Sequence, residues 1–474
     1  MRIYLFGCGG VGKCVLDYIP IILNIQYKHV TIIDCDNKVT EFISVQNAIN
    51  NGATFKLIDI NKYVMNKLFD ELCIKENDIL IDLTTDTNTY EIFKESRLRG
   101  VFYINTSIEN KLDTTHKYIY MQHNNLIDIE SKIKKNPNYK KQTCLIEFGM
   151  NPGLISLFSL LAIKQIAKDK NIDTTNKSYR ELAKETGVKI IHCAEIDTQE
   201  IKNEEKVKEI LDNKILVNTW SCVGLIKEGF EPPEISLNLH DPSSKDMIED
   251  AGLRQRQGYI YVGKKPNFAG KDFKTKSICP IKVDENNKPV FDYIEGRIIH
   301  HGEVISMERL LSDVDYCPTM HYVYRLNPLT NQLIDNPEFC KDETTKIVMT
   351  QTDFNLEGGD NCGALVVDDN NDTWWCGSIL HTDYVNNKLN QHIHNPTVMQ
   401  VMCAVLGGVT WMLLHNNKGL CFADDVDPKY ILCNFKKYLG VYYCGKTPLK
   451  YKSYYKKYNN VEYSDENSFS PSNN

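Results

Sequence analysis

The chain has 474 residues, of which 42% are hydrophobic, enough for two or three domains with substantial cores. Its formal net charge of −7 argues against nucleic acid as the main partner and is compatible with a small cationic substrate. Sixteen cysteines occur without a Cys-x-x-Cys pair, so neither a zinc ribbon nor a thioredoxin-type motif is predicted. We interpret them as reduced, mostly buried thiols of a cytoplasmic protein. Because the first predicted strand begins at residue 2, no signal peptide is expected.

The first motif is glycine-rich. An apolar, strand-like run at residues 3–6 leads directly into the sequence GCGGVG at residues 7–12, and residues 11–18 have the apolar spacing of a helix. In this strand–turn–helix context, Gly-x-Gly-x-x-Gly binds the pyrophosphate of a dinucleotide. Gly7 permits the tight turn, Gly9 lets the backbone approach the pyrophosphate, and Gly12 lets the helix pack closely on the strand. The phosphates are expected on the free N–H groups at the start of the helix.

An acidic residue in the expected place strengthens this prediction. A second predicted strand, residues 30–33, is followed by Asp34, about twenty residues after the last glycine of the motif. A carboxylate there accepts hydrogen bonds from the ribose and repels a 2′-phosphate, so NAD is favoured over NADP. The alternative is a glycine turn that merely begins an ordinary α/β domain. The predicted cofactor-binding residues are Gly7, Gly9, Gly10, Val11, Gly12, Asp34, Asp59 and Thr84.

Strand and helix patterns alternate from residue 1 to about residue 150. Further strands are predicted at 55–58, 79–83 and 101–104, with helices such as 61–72 and 90–99 between them. This alternation predicts a Rossmann domain with a doubly wound parallel sheet. Asp86 and Glu109 follow predicted strands at the edge where such sheets bind ligands, although each could instead be a loop carboxylate, and Asp86 could cap a helix.

Residues 151–395 have a different pattern, dominated by short strands and a hairpin around a polar turn between 365–367 and 373–375. We expect a second, α+β domain with a mixed sheet that carries the substrate site and the dimer surface. The stretch 396–415 is apolar on all sides but short for a membrane span and interrupted by polar residues, so it is predicted to be a buried helix that completes the first domain. Residues 416–450 are a predicted C-terminal return segment, and 451–474 a flexible tail.

Several later motifs occur in the order of a known enzyme family. They are NPG at 151–153, AEIDTQ at 194–199, NTWS at 218–221 with Glu228, HHGE at 300–303, PTMHY at 318–322, and Asp360 before CGA at 362–364. In this order they closely resemble homospermidine synthase of the bacterial type, within the saccharopine dehydrogenase-like group, from residue 3 to about 443. The resemblance implies a transferase that holds NAD as a recycled prosthetic group. Putrescine or spermidine is oxidised to an imine, a second putrescine exchanges into the Schiff base, and the same hydride reduces it to homospermidine.

The resemblance also implies roles for individual residues. Those predicted to be catalytic are Trp220, Glu228, His301, Asn151 and Glu195, and those predicted to bind substrate are Asp86, Glu109 and Asp360. Trp220 would hold the cationic amine against its ring face, although such an indole could equally belong to a core strand. Glu228 and Glu195 would pair with ammonium groups, which are costly to bury alone; Glu195 could instead pair with a lysine.

Proton transfer is assigned to His301, supported by Glu303, because imine chemistry needs a group with a pKa near 7. His300 is expected to point away from it if this segment is a strand. A metal site is not predicted here, because the spacing is poor and a third ligand is not evident. Asn151 would bind the reacting amine or the nicotinamide amide, and Asp360 would close the pocket; either could instead be a turn residue.

Two other functions remain open from the sequence. A carboxynorspermidine or saccharopine-type dehydrogenase would need a basic residue for the substrate carboxylate, and would exchange its cofactor in each cycle. A non-catalytic NAD- or polyamine-binding protein is the second alternative. The acidic candidates together with Trp220 favour the synthase, with putrescine, spermidine and homospermidine as partners, a homodimer as the assembly, and neither nucleic acid nor membrane as a partner. The insertion 200–208 is predicted to be a surface helix, and 240–258 matches the family poorly.

Overall fold

Two large sheets organise the computed structural model, which describes residues 1–109, 118–238, 248, 253–263, 273–341 and 343–452. The strands are β1 (Ile3–Phe6), β2 (Val30–Asp34), β3 (Thr54–Leu57), β4 (Ile79–Asp82), β5 (Phe102–Asn105), β6 (Cys144–Leu145), β7 (Val188–Asp197), β8 (Glu200–Ile201), β9 (Leu216–Asn218), β10 (Glu234–Ser236), β11 (Arg254–Gln257), β12 (Ile260–Val262), β13 (Lys274–Val283), β14 (Pro289–Ile299), β15 (Thr319–Arg325), β16 (Lys346–Val348), β17 (Leu356–Glu357), β18 (Gly359–Asp368), β19 (Asp372–His381), β20 (Leu420–Cys421) and β21 (Val441–Lys450).

The α-helices are α1 (Gly10–Ile22), α2 (Ile43–Asn50), α3 (Met65–Glu71), α4 (Thr89–Arg99), α5 (Ile119–Ile133), α6 (Leu154–Asp169), α7 (Tyr179–Glu185), α8 (Glu204–Asp212), α9 (Cys222–Phe230), α10 (Gly302–Leu311), α11 (Pro328–Ile334), α12 (Gln351–Phe354), α13 (Thr382–Lys388), α14 (Pro396–Leu414) and α15 (Pro428–Phe435). Residues 453–474 of the predicted tail and most of the poorly matching stretch 240–258 lie outside the described residues.

The first sheet confirms the predicted doubly wound architecture. Its order is β20-β6-β5-β4-β1-β2-β3, and every pairing in it is parallel. Alternate side chains of β1 enter different cores: Ile3 and Leu5 join the one that includes α1 and α14, whereas Tyr4 and Phe6 join the one that includes α3 and α4. Because the chain runs from β1 outward to β3 and then returns to β4 on the other side, the topological switch lies beside β1. A ligand crevice is expected at that point.

The second sheet is mixed, as predicted. Its main path is β11-β12-β10-β15-β7-β18-β19-β21, with β14 pairing on β15 and β13 on β14. β15 and β7 run parallel, whereas the pairs β7–β18, β18–β19 and β19–β21 are antiparallel. The predicted hairpin is present and is longer than the sequence pattern indicated, since β18 and β19 pair from Gly359 with His381 to Val367 with Thr373.

Helix α14 connects the two halves of the fold. It packs against α1 and β5 on one side and against β18 and β19 on the other. Its length and composition would allow it to cross a membrane, but 78% of its apolar window is buried inside the fold. Beyond it, β20 pairs with β6 and extends the first sheet. The predicted insertion helix is α8; it begins at residue 204 and buries Ile210 fully.

Candidate functional site

The glycine loop lies at the switch point and has the local geometry that a pyrophosphate needs. A Cβ atom on Gly12 would lie 2.4 Å from the carbonyl oxygen of Gly7, so the helix start must be glycine to approach the turn. A Cβ on Gly9 would meet no atom within 4 Å, which leaves open space beside the loop. Gly9 is the N-cap of α1 and provides no side-chain cap, so the first N–H groups of the helix are free for an anion.

Asp34, at the end of β2, binds this loop through its side-chain carboxylate. Its Oδ2 accepts a hydrogen bond from the Cys8 N–H at 2.6 Å, and its Oδ1 accepts one from the Asp36 N–H at 2.9 Å. It lines the cleft together with Asp59 and Thr84. All eight predicted cofactor-binding residues line this cleft, namely Gly7, Gly9, Gly10, Val11, Gly12, Asp34, Asp59 and Thr84.

A second cavity adjoins the cleft. The cleft has a volume of about 310 Å³ and the second cavity about 180 Å³, and the two share six lining residues: Val11, Leu83, Thr84, Thr85, Trp220 and Ser221. Trp220 therefore lies where a ligand of the cleft would meet a ligand of the cavity. Its Nε1–H donates to the Tyr324 hydroxyl at 2.9 Å. A Cβ on Gly224 would lie 2.7 Å from the indole, which explains the glycine in the NTWS-x-x-G motif.

Carboxylates dominate the second cavity. Five glutamates line it: Glu109, Glu147, Glu195, Glu228 and Glu231. Lys227 is the only lysine or arginine among the described residues that do so, and His300 and His301 also face the space. A cavity with this charge pattern favours a ligand that carries several positive charges.

Glu195 is the most buried of the predicted acids that line the cavity. It is 3% exposed, and its Oε2 accepts hydrogen bonds from the Tyr322 hydroxyl at 2.5 Å and from the Asn151 amide. Burial raises the pKa of Glu195 to about 7, against the opposing effect of the hydrogen bonds from Tyr322 and Asn151. Its Oε1 is buried without a partner among the described residues. Such an acid can gain or lose a proton near neutral pH.

His301 is placed differently from the sequence prediction. It is the N-cap of α10, so the HHGE motif starts a helix, and both histidines reach the cavity. His300 therefore does not point away; its Nε2 lies 3.0 Å from Glu231. The His301 Nδ1 lies 3.1 Å from Glu303, and its Nε2 lies 3.6 Å from Glu228.

The charge state of His301 also differs from the expectation of a pKa near 7. Burial alone would lower the pKa of His301, but the charges of Glu303 and Glu228 outweigh burial and hold the pKa well above the ordinary histidine value. The ring stacks on Tyr322 with centroids 3.9 Å apart. The raised pKa of His301 favours its protonated form, a proton donor, whereas among the predicted catalytic residues Glu195 has a pKa of about 7.

Two predicted substrate residues do not line the cavity. Asp86 is exposed, and its contribution is a backbone N–H that donates to Glu109 Oε2 at 3.0 Å. Asp360 is fully buried behind Thr397, whose hydroxyl donates to it at 2.7 Å and which itself lines the cavity. Burial, followed by the charges of Glu195 and Asp197, raises the pKa of Asp360 well above the ordinary range. Asp360 is thus connected to the cavity through Thr397.

The sequence did not reveal several lining residues, among them Glu147, Tyr322, Lys227 and Glu231. Glu147 follows β6 and is 6% exposed, with its Oε2 2.7 Å from His123 Nε2. Glu147 could have been predicted, because a carboxylate that follows a Rossmann strand is the pattern that identified Asp34. Tyr322 belongs to the PTMHY motif and could have been found there. Lys227 had no such signal, because a lysine on a short amphipathic helix ordinarily faces solvent.

Comparisons with known proteins show what the chain as a whole is similar to. Residues 3–137 match the saccharopine dehydrogenase NADP-binding domain. The chain is 27% identical to a homospermidine synthase of Mesorhizobium japonicum over 483 residues, which cover 94% of this chain and 91% of the relative. It is 26% identical over 387 residues to a homospermidine synthase of Blastochloris viridis, with 76% and 74% coverage. Over most of its length the chain is thus similar to homospermidine synthases. The resemblance inferred from the ordered motifs is confirmed.

Two solved structures have a fold similar to that of this chain. The homospermidine synthase of Legionella pneumophila, solved in complex with NAD, superposes with a TM-score of 0.77 at 24% identity and covers 94% of this chain and 92% of its own. Saccharopine dehydrogenase of Saccharomyces cerevisiae gives a TM-score of 0.50 at 11% identity, over 94% and 99% of the two chains. This chain thus shares its fold with the Legionella homospermidine synthase.

Proposed function

We propose that the chain is a homospermidine synthase, which transfers an aminobutyl group from putrescine or spermidine to putrescine and keeps NAD as a recycled prosthetic group. One observation carries the proposal. A cavity lined by five glutamates and Trp220 opens directly onto the glycine-loop cleft. A dicationic amine held in this cavity would place a carbon beside the end of a dinucleotide held in the cleft.

The residues of the cleft fit NAD. The open space at Gly9 and the uncapped start of α1 suit a pyrophosphate, and Asp34 stands where a ribose hydroxyl would bind. A 2′-phosphate would meet the Asp34 carboxylate, which favours NAD over NADP although the matching domain family is described as NADP-binding. When bound, NAD would accept a hydride from the amine carbon and return it to the imine.

The chain's own groups supply binding and proton transfer. Glu228 and the face of Trp220 hold the ammonium group near the shared boundary of the two cavities. Glu195, with its pKa raised to about 7 by burial, removes the proton that a reacting amine must lose, and Asn151 and Tyr322 fix its orientation. His301 donates a proton to the leaving amine. Two putrescine molecules then give one homospermidine and one ammonia, with no net change in NAD.

The dehydrogenase alternative needs a cationic side chain free to bind a substrate carboxylate. Lys227 is paired with Glu109 at 2.9 Å, and Glu228 and Glu231 lie beside it, so a substrate carboxylate would be repelled. This charge pattern favours a polyamine substrate.

A cytoplasmic location and a homodimer belong to the same proposal. All sixteen cysteines lie within the described residues and are free, as expected in a reducing compartment. The dimer rests on the family resemblance, and sedimentation of the purified protein would test it.

The test is product formation by purified protein with putrescine and a catalytic amount of NAD. Homospermidine and ammonia without net NADH support the synthase, whereas turnover of NADH or NADPH on an amino acid would replace it with the dehydrogenase. Bound NAD with no product would indicate a binding protein. Asp34→Ala serves as the cofactor control, since weaker NAD retention is expected there, and normal NAD content would contradict the ribose assignment.

A further inference from the structure

A strand from the second half of the chain forms part of the glycine-loop cleft. Val348 lies on β16 and packs against the start of α1, since a Cβ atom on Gly10 would lie 2.8 Å from the Val348 Cγ1. Lys346 precedes Val348 by two residues on this strand, so the two side chains share one face and start about 7 Å apart. Both residues line the cleft. A lysine therefore stands close to the loop on which the pyrophosphate is expected.

Strand β16 is held in place from two sides. It pairs in parallel with β9, and the Cys222 thiol at the start of α9 donates to the Ile347 carbonyl at 3.4 Å. The Asn395 amide, at the N-cap of α14, donates to the carbonyl oxygens of Thr219 at 2.8 Å and Met349 at 2.7 Å. The strand is thus a fixed part of the cleft wall, and the position of its lysine is fixed with it.

The ammonium group of Lys346 has neutral partners only. Its Nζ donates to the carbonyl oxygens of Lys341 and Thr344, at 3.0 Å and 3.2 Å. Because a lysine has three N–H donors, one donor remains available. Among the described residues, Lys346 forms no ion pair with a carboxylate. It is also the only lysine or arginine among the described residues that line the cleft.

An anion in this cleft needs a positive charge nearby. Two carboxylates, Asp34 and Asp59, line the cleft, and a pyrophosphate would add two negative charges to theirs. Lys62 pairs with Asp59 at 3.3 Å, but its side chain is 78% exposed and does not line the cleft. Lys13, on α1, does not line it either. The start of α1 supplies partial positive charge, and Lys346 supplies the full charge that the cleft otherwise lacks.

We propose that Lys346 is a cofactor-binding residue: its ammonium group binds the pyrophosphate of NAD from β16, while the glycine loop binds it from α1. This inference rests on the proposed function for the identity of the cofactor. A hydrogen bond between charged groups changes an equilibrium constant by about tenfold or more. Lys346 thereby slows the release of NAD, as a reaction that returns the hydride to its donor cycle after cycle requires.

The test measures the release of NADH from the loaded protein. Protein loaded with NADH is mixed with an excess of NAD, and the loss of bound NADH fluorescence gives the dissociation rate. We expect Lys346→Gln to release NADH about tenfold faster or more, and Lys346→Arg, which keeps the charge, to stay close to the wild-type rate. Because the contact is between charges, added salt should speed release in wild type more than in Lys346→Gln.

Lys208→Gln is the matched control. Lys208 is exposed on α8, and this helix shares a small hydrophobic core with β9 and β16, so the change removes the same charge from the same part of the fold without altering the cleft. Thermal midpoints are measured for every variant, and Lys346→Met replaces Lys346→Gln if the latter does not fold. The proposal is overturned by an unchanged release rate in Lys346→Gln, or by the same salt dependence in Lys346→Gln and wild type. Equally fast release in Lys346→Arg or in the control would also overturn it.

The two proposals can fail separately. If the wild-type protein forms no homospermidine but Lys346→Gln releases NADH faster, the reaction is wrong and the cofactor-binding role holds. If homospermidine forms and the release rate does not change, Lys346 does not bind the pyrophosphate. If the wild-type protein does not bind NADH, both proposals are overturned.

Discussion

Binding of a diamine should release protons from the buried acid cluster, and Glu195 makes this measurable. With a pKa of about 7, Glu195 is about half protonated at pH 7 in the empty site. An ammonium group bound beside it would lower that pKa by 1–3 units, to about 5. The amine itself keeps its protons over this range, as a lysine side chain does.

The magnitude follows from these two values. Glu195 should release about 0.8 proton per site at pH 6, about 0.5 at pH 7 and about 0.1 at pH 8. Below about pH 7, Glu195 carries a proton that must be removed when the amine binds. Amine affinity should therefore rise with pH, by roughly tenfold between pH 6 and pH 8. This corresponds to a loss of about 1.3 kcal/mol of binding free energy at the lower pH.

The assay is titration calorimetry of putrescine in buffers with different ionisation enthalpies. Asp360, whose pKa burial and neighbouring carboxylates also raise, is present in both wild type and Glu195→Gln. The decisive quantity is therefore the difference in proton release between wild type and Glu195→Gln. At pH 7 the variant should release about half a proton less per site than wild type. Glu205→Gln, an exposed change on α8, is the control and should behave as wild type. Equal proton release by wild type and Glu195→Gln would refute the assignment of the neutral-pH group to Glu195.

Other perturbations separate cofactor, substrate and stability. Gly9→Val should fold normally, because its side chain enters open space, but it should lose bound NAD. Gly12→Ala should lower the thermal midpoint, because its Cβ would lie 2.4 Å from a carbonyl oxygen. The opposite order of NAD content and melting temperature would contradict the loop geometry. Trp220→Ala should lose most turnover and keep NAD, and unchanged turnover would exclude a cation–π role. Glu130→Ala should lower the free energy of unfolding by about 3–5 kcal/mol, since it leaves the buried Arg97 guanidinium without its carboxylate partner. Urea unfolding would check this by comparison with an Arg97→Met, Glu130→Leu double variant.

The sequence predicted those features that local rules determine. The glycine loop and Asp34 were recognisable because strand, turn and helix must follow one another at short range to build a dinucleotide site. Helix α14 was recognisable because a helix that is apolar on all sides is stable only when buried. The mixed sheet and its β18–β19 hairpin followed from short strands separated by a polar turn.

The composition of the cavity was not predictable in the same way. His300 was expected to point away if its segment were a strand, but a helix starts at His301 and both rings line the cavity. Asp86 and Asp360 matched the family motifs but lie outside the lining. Asp86 is exposed and contacts Glu109 through its backbone N–H, and Asp360 lies behind the Thr397 hydroxyl.

The sequence by itself determined the order of elements, the dinucleotide motif and the resemblance to homospermidine synthases. The tertiary structure decided which charges meet. Lys227 and Glu109 are 118 residues apart and belong to different predicted domains, so their ion pair exists only after the two sheets pack around α14. The protonation of a side chain likewise depends on burial and on the charges that folding brings near it, as Glu195 and His301 show, and neither is encoded in a local pattern.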